Sequence, residues 1–308
     1  MILIISNPQD VHAKHLAKML RVRGSDVVCI SRADFGNGAS ITLSPDAQQG
    51  ELKLSDGTRI ASDSISAVWH RRPGIVRANP GITDDLDRSF AENEWAQTID
   101  GFFSLASGRA VSPPAKQRAA TKPLQLSLAS RAGLRVPKTL ITSVPEEALA
   151  FVGEHCGAVV HKAMTAPPHQ FIDTRLWDSG ASNRAADLLL CPTILQEQVL
   201  GPADVRATIV GEQIFSACIL TANGRADIDS RLDADAPCTR YELPASVESA
   251  LLQLMGELGL IFGTIDLKLT DNGEHVFLEI NPQGQFLYIE ILTGLPISQA
   301  LAEFLAHD

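Results

Sequence analysis

The chain has 308 residues, a hydrophobic fraction of 45% and a formal net charge of -10, enough for a large core in two or three domains and, with no Lys/Arg run, unsuited to a nucleic-acid footprint. Its five cysteines, Cys29, Cys156, Cys191, Cys218 and Cys238, lie at neither C-x-x-C nor Cys/His metal spacing and read as free thiols in a reducing compartment. The opening MILIISNPQD has no basic n-region and no uncharged stretch reaches membrane-spanning length, so a cytoplasmic protein that meets neither membrane nor nucleic acid is expected.

In chain order, residues 2 to 6 (ILIIS) predict a buried parallel-type strand, His12 to Arg23 a helix stopped by Gly24, and Val27 to Ile30 a second strand, a βαβ opening. Gly50 to Ile60 reads as a short hairpin around Asp56-Gly57, Ile65 to His70 as a strand ending in the charged tail WHRRP, and Asp84 to Leu105 as helical. The Pro-containing connection VSPPAKQ marks a first domain boundary. Beyond it, a helix is expected over Ala119 to Ala132 with Gly133 as its stop, a strand at RVPKTLIT, and a helix at PEEALAFVGEHC behind a Ser143 cap. The strand AVVHKAM, the loop TAPPH and a strand at Gln170 to Leu176 follow; ILQEQV, DVRATIVG and QIFSACIL continue the strand signals, with one further helix at Ser246 to Leu258.

The segment TIDLKLTDNGEHVFLEIN holds Asn272-Gly273 between alternating runs, a signal for a two-residue hairpin loop. With Asp271 facing Glu274, a constant index sum sets Asp266 opposite Glu279, and period-2 alternation adds Asn281 to that face while Val276, Leu278 and Ile280 turn to the core. Opposed like charges on facing strands are destabilising. Two carboxylates and an amide oxygen form an all-oxygen set suited to Mg2+; an exposed hairpin with ordinary polar residues is the competing reading.

Other residues carry weaker signals. Lys162 ends an apolar strand, where it can meet a phosphate or simply be solvated, and Lys122 stands before a helix. In LQEQVLGPADVRATIVG, Glu197 and Gln198 end an apolar strand, and Asp204 and Arg206 share one face, either as acceptor and guanidinium fork for a ligand or as members of a cross-strand ion pair. No G-x-S-x-G elbow, H-E-x-x-H, Walker-A loop or G-x-G-x-x-G is present.

The order of these pieces resembles the ATP-grasp ligases over most of residues 110 to 308: Lys122 before a helix with QL, G-x-x-V-P-x-T, a strand ending in Lys162, Q-E-Q-V, D-V-R, D-x-K and F-L-E-I-N-P. WHRRP, DVRATIVG and LEINPQGQF followed by IEILTGLPISQAL narrow the resemblance to the graspetide synthetases, which close side-chain ester or amide macrocycles in ribosomally made peptides. The resemblance implies an α/β (α+β) ATP-grasp fold, with a pre-ATP-grasp domain over 1–112, a central subdomain over 113–194, a C-terminal subdomain over 195–308 and a nucleotide cleft between the last two. It implies ATP phosphates held by Lys122 and Lys162, adenine met along Gln196, Glu197, Gln198 and Val199, and Mg2+ on Asp266, Glu279 and Asn281. Asp204 and Arg206 match the family's D-x-R and would contact the reacting peptide and its acyl-phosphate. Arg231 in IDSRL would join them, although Ser230 stands where relatives often carry an aromatic. TAPPH departs from the Gly-rich segment of relatives, since its two prolines remove donors and stiffen the chain.

The implied activity is ADP-forming ligation: Asp/Glu side chains of a separate precursor peptide are activated as acyl-phosphates and taken by a hydroxyl or amine. A leader segment of that peptide could be met by Arg71, Arg72, Arg77, Arg109 or Arg118, unless WHRRP is only a structural strand end; a homodimer stays open. A ligase that joins free amino acids or tailors a protein C-terminus, and an inactive ATP-grasp binding module, are the alternatives, and intact Asp266, Glu279 and Asn281 argue against the last.

Overall fold

The computed structural model describes residues 1–165, 173–220 and 236–307. Arg231 and the prolines of TAPPH lie outside the described residues.

The first unit contains β1 (Ile2–Ser6), α1 (Val11–Val22), β2 (Val27–Ile30), β3 (Ser40–Ser44), β4 (Gln49–Lys53), β5 (Arg59–Ala61), β6 (Ala67–Arg72), α2 (Asp85–Leu105) and β7 (Arg109–Val111). Strands β2-β1-β6-β7 form one parallel sheet, in keeping with the unbroken apolar run of β1, which is buried along its whole length. The expected hairpin around Asp56-Gly57 is present as β4 and β5, with β3 added to make a three-stranded sheet.

The second unit runs through α3 (Pro114–Ala119), α4 (Lys122–Arg131), β8 (Thr139–Thr142), α5 (Pro145–Glu154), β9 (Val159–Lys162), β10 (Arg175–Leu176), α6 (Ser179–Asn183) and β11 (Thr193–Glu197). The helix expected over 119–132 is present as α4, which begins at Lys122 with Pro123 in its first turn, where proline is tolerated, and a short helix, α3, stands in the segment expected to be only a connection. Strand order is β10-β9-β11-β8. Since β11 belongs to this sheet through Glu197, we place the partition from the third unit in the connection after it.

The third unit holds β12 (Ala203–Val210), β13 (Gln213–Leu220), β14 (Cys238–Arg240), α7 (Ala245–Leu258), β15 (Phe262–Leu269), β16 (His275–Asn281), α8 (Leu287–Thr293) and α9 (Ile297–Ala306). Its sheet, β14-β13-β12-β15-β16, is antiparallel throughout. One face packs on α4 and α7 through Val205, Ala207, Leu254, Ile265, Leu267 and Phe277. Part of the other face, with Val210, Phe215 and Phe262, shares a continuous core with Ile2, Ile4, Leu16 and Trp69 of the first unit and Leu301 of α9. The second unit keeps a small core of its own around Val159, Trp177 and Leu195. All five cysteines are unpaired, and among the described residues no helix is long and apolar enough to cross a membrane.

Candidate active site

The part of the third sheet's face that the first unit leaves open carries Asp204, Arg206, Thr264, Asp266, Lys268, Glu279 and Asn281. Strand register explains why they converge: Arg206 pairs with Asp266 across β12 and β15, Asp204 with Lys268, Asp266 with Glu279 across β15 and β16, and Thr264 with Asn281. Asp266 therefore does face Glu279, by a route different from the expected one. The loop spans Thr270 to Glu274 rather than Asn272-Gly273 alone, closed by Thr270 N–H on Glu274 O, and the pairing shifts by one residue between Asp266 and Leu267. Leu278 is the extra residue of that bulge; it stays half-buried and Phe277 takes the core position expected for it.

Each carboxylate has its own cation. Arg206 donates through one terminal nitrogen to Asp266 Oδ1 at 2.5 Å and through the other to Thr264 Oγ1 at 3.0 Å and Gln285 O at 3.2 Å. Lys122, the first residue of α4, reaches Glu279 Oε2 at 3.0 Å and donates to Ala163 O, next to Lys162, at 3.1 Å. Lys268, only 3% exposed, meets Asp204 Oδ1 at 3.0 Å. Asp204 and Arg206 thus make the cross-strand ion pairs that were one of their two readings, with β15 as the partner strand. Burial pushes the Asp266 carboxyl up against the pull of Arg206, and Glu279 adds to the rise. Burial acts most strongly, to lower Arg206, but Asp266, Tyr288 and Glu279 together outweigh it and hold the guanidinium above its ordinary value. Its Nε is buried without a hydrogen bond, and Tyr288 of α8 lies under it, 5.9 Å from ring centroid to guanidinium carbon.

The chain after β16 returns across this face. Asn281 Oδ1 accepts from Gln283 N at 2.9 Å, fixing the turn. Gly284 passes so close to β15 that a Cβ there would overlap Thr264 Oγ1. Arg71 of WHRRP, 1% exposed, donates to the carbonyls of Gln283 and Gly284. His12 Nε2 accepts from Phe286 N at 3.1 Å and Leu287 N at 3.3 Å, and its Nδ1 lies 3.5 Å from Asp10 Oδ1. Burial lowers His12, while Asp10 pulls it upward; burial brings Arg71 down to about 10, with Asp10 opposing.

The nucleotide residues expected on β11 are arranged differently. Gln196 is buried and its amide donates to Thr139 Oγ1 at 2.9 Å. Glu197 faces Arg135 at 3.6 Å, and the backbone N–H of Gln198 is taken by Ala158 O at 2.8 Å. Val199 follows in the connection to β12. Lys162 ends β9 and pairs with Ile194. Sequence reasoning missed Thr264, Lys268 and Tyr288 as members of the site. Lys268 was legible, being two residues from Asp266 and so on its face; Arg71 and His12 stand too far away in sequence for any spacing rule to reach.

Among the described residues no group of three His, Cys, Asp or Glu side chains could hold a metal ion, so a cation here would rest on two carboxylates and the Asn281 amide. That all-oxygen set fits Mg2+, which keeps water and phosphate oxygens in its remaining positions. Two facing carboxylates that already draw a lysine and an arginine show that the site demands positive charge.

No family model and no curated protein matches the chain, whereas solved structures do. The macrocyclase MdnC bound with precursor peptide MdnA, from Microcystis aeruginosa MRC, is 28% identical with a TM-score of 0.85 over 100% of this chain and 99% of that one. A Chryseobacterium gregarium RiPP-associated ATP-grasp ligase, solved with ADP and a leader and core peptide, is 25% identical with a TM-score of 0.87 over 99% and 96%. The macrocyclase MdnB, also from Microcystis aeruginosa MRC, is 27% identical with a TM-score of 0.82 over 100% and 99%. The fold is that of the ATP-grasp ligases, and the likeness to graspetide synthetases extends over the whole of both chains.

Proposed function

We propose that this ATP-grasp ligase activates Asp or Glu side chains of a ribosomal precursor peptide and joins them to side-chain hydroxyls or amines, closing ester or amide macrocycles. The observation that carries the reading is the Asp266–Glu279 pair, two carboxylates opposed on facing strands and each matched by its own cation, beside the core that the first unit shares with this sheet.

Residue by residue, Asp266, Glu279 and Asn281 would hold Mg2+, which supplies charge neutralisation at phosphate when bound. Lys122 is held by Glu279 and by the carbonyl next to Lys162, so the two lysines neutralise phosphate charge from neighbouring elements. Gln196 and Glu197 spend their side chains on Thr139 and Arg135, and the N–H groups of Glu197 and Gln198 are taken by Lys138 O and Ala158 O, so adenine would be met by the remaining groups of Gln196 to Val199. Arg206 presents a planar fork beside the carboxylates and suits a substrate carboxylate or its acyl-phosphate. Lys268 fixes Asp204, which is left to orient the peptide. Arg231 belongs to the same role by resemblance.

In the balance of the reaction, the substrate carboxylate oxygen attacks the γ-phosphorus and ADP leaves. The acceptor oxygen or nitrogen then attacks the acyl carbon, phosphate leaves, and the acceptor's proton is released. No protein nucleophile is required; the residues position groups and stabilise charge. The test is ADP release with Mg2+ in the presence of an acidic, Thr-rich peptide encoded beside the gene, read together with peptide mass. Loss of one water per ADP formed supports macrocyclisation. ADP release only with free amino acids, or addition of a residue to a protein C-terminus, would replace it with the alternative ligase.

A further inference from the structure

The loop between β16 and α8 makes no strand pairing, yet its backbone groups are taken up one after another. Three successive carbonyls, those of Gln283, Gly284 and Gln285, accept from two guanidinium groups, Arg71 from the first unit and Arg206 from the third. The next two N–H groups, of Phe286 and Leu287, are accepted by the single imidazole nitrogen of His12. The Gln283 side chain donates to Gln117 Oε1 at 2.8 Å, and Gln117 in turn donates to His70 O and Ser112 O. Asp10 orders the partners from behind: its Oδ1 caps α1 on the N–H groups of His12 and Ala13, and its Oδ2 stands 3.4 Å from Arg71 Nε.

Building on the ligase reading, we propose that Arg71 and His12 are positioning residues, through which the first unit sets the shape of the 281–287 loop and thereby the placement of Asn281 and of the Arg206 guanidinium. WHRRP is then neither a plain strand end nor, at Arg71, a surface for the peptide, since Arg71 is sealed from solvent. The physical case rests on three points. One terminal nitrogen of Arg71, Nη1, serves both adjacent carbonyls, and the planar guanidinium fixes where that nitrogen stands, whereas an ammonium on a flexible stem acts as a point charge. An imidazole that accepts at Nε2 beside a carboxylate at Nδ1 is held as one neutral tautomer. Reacting groups displaced by about 1 Å lose on the order of 10²-fold in rate. Arg206 is anchored by Asp266 and Thr264 and meets this loop through Gln285 O, so the loop supplies one of the three contacts that set how the guanidinium faces.

Hydrogen exchange on the full chain reads the clamp without recourse to catalysis. Arg71→Lys keeps the charge and removes the planar group that places Nη1 between the two carbonyls, His12→Phe keeps a ring against Phe286 and removes the acceptor, and Arg32→Ala breaks an ion pair with Asp100 elsewhere in the first unit. The first two variants should exchange the 283–287 amides at least about 10-fold faster with β12 unchanged, and Arg32→Ala should leave that loop as in wild type. In parallel, turnover of Mg-ATP should fall about 10- to 100-fold in Arg71→Lys with the KM for ATP within about 2-fold. Unchanged exchange over 283–287 in both variants, or equal acceleration by Arg32→Ala, overturns the proposal while leaving wild-type turnover to stand. Faster exchange in a chain whose wild type does not turn over ATP keeps the clamp and removes the ligase reading. If Arg71→Lys fails to fold, His12→Phe decides by the same exchange criterion.

Discussion

The second and third units both contribute to the cleft, and they are built to different standards. The third unit's sheet is packed on both faces, by α4 and α7 on one side and by the first unit and α9 on the other. The second unit has its own small core around Val159, Trp177 and Leu195. Residues that have to keep an angle, Arg206, Asp266 and Glu279, stand on the doubly packed sheet, each with a partner. Lys162 stands on the lighter one. On the proposed function the difference would be a division of labour, with the chemistry placed on the more heavily packed sheet and phosphate met partly from the lighter one.

The largest effect should come from the rigid side. Glu279→Gln removes half of the opposed carboxylate pair and should lower ADP formation by about 10³-fold, while the Tm stays within a few degrees because Glu279 is half-exposed. Normal ADP formation in that variant would end the metal and phosphate assignment. Cores should then respond unequally: Phe262→Ala, in the core shared by the first and third units, should cost about 3–5 kcal/mol and lower the transition of both. Leu195→Ala should speed exchange in β8, β9 and β11 and spare β12 and β15; exchange rising everywhere would show the two units to be one cooperative block.

A smaller effect concerns pH and belongs to the first unit. Burial drives His70 down to about 3, with Arg32 and Arg118 adding to it, and burial lowers His12 as well. His70 stays neutral in the fold across this range, and His12 shifts in the same direction, so below pH 6.5 the unfolded chain binds protons that the folded chain refuses, and stability falls as pH falls. His70 accounts for up to about 2 kcal/mol between pH 7 and pH 5. The denaturant midpoint should drop over that interval, and His70→Phe should flatten the slope; a slope unaltered by His70→Phe would place the titration elsewhere. The smallest effect sharpens the comparison from the lighter side. Lys162→Ala should weaken ATP binding about 10-fold, roughly 1.4 kcal/mol, whereas Arg206→Ala should retain nucleotide binding by calorimetry and lose ligation. Equal losses of affinity would show that Arg206 serves the nucleotide.

Local signals made much of this legible and long-range ones did not. The βαβ opening, the prolines that start helices and the alternation of β12, β15 and β16 follow from neighbours in sequence. Even there the pairing of Asp266 with Glu279 emerged through two compensating differences, a longer loop and a bulge at Leu278, because a turn signal fixes that a hairpin forms better than how its loop closes. Helix α3 was not legible, because the paired prolines of VSPPAKQ read as a connection although Pro114 can open a helix. The contact of Arg71 with Gln283 spans 212 residues, and no period in the chain encodes it. The guanidinium was visible as charge in WHRRP, and only the meeting of the first and third units reveals that it is a buried donor to a loop.

That span has a consequence for the order in which the protein is made. Residues 10, 12 and 71 emerge from the ribosome long before residues 281–287, and the first sheet can form while the loop it grips does not yet exist. The strands that carry Arg206 and Asp266 also precede it. A chain under synthesis could therefore fold its first unit yet be unable to shape the reaction loop, because the clamp's two sides are made 212 residues apart. Competence would then wait for the docking of Phe286 and α9 onto the shared core.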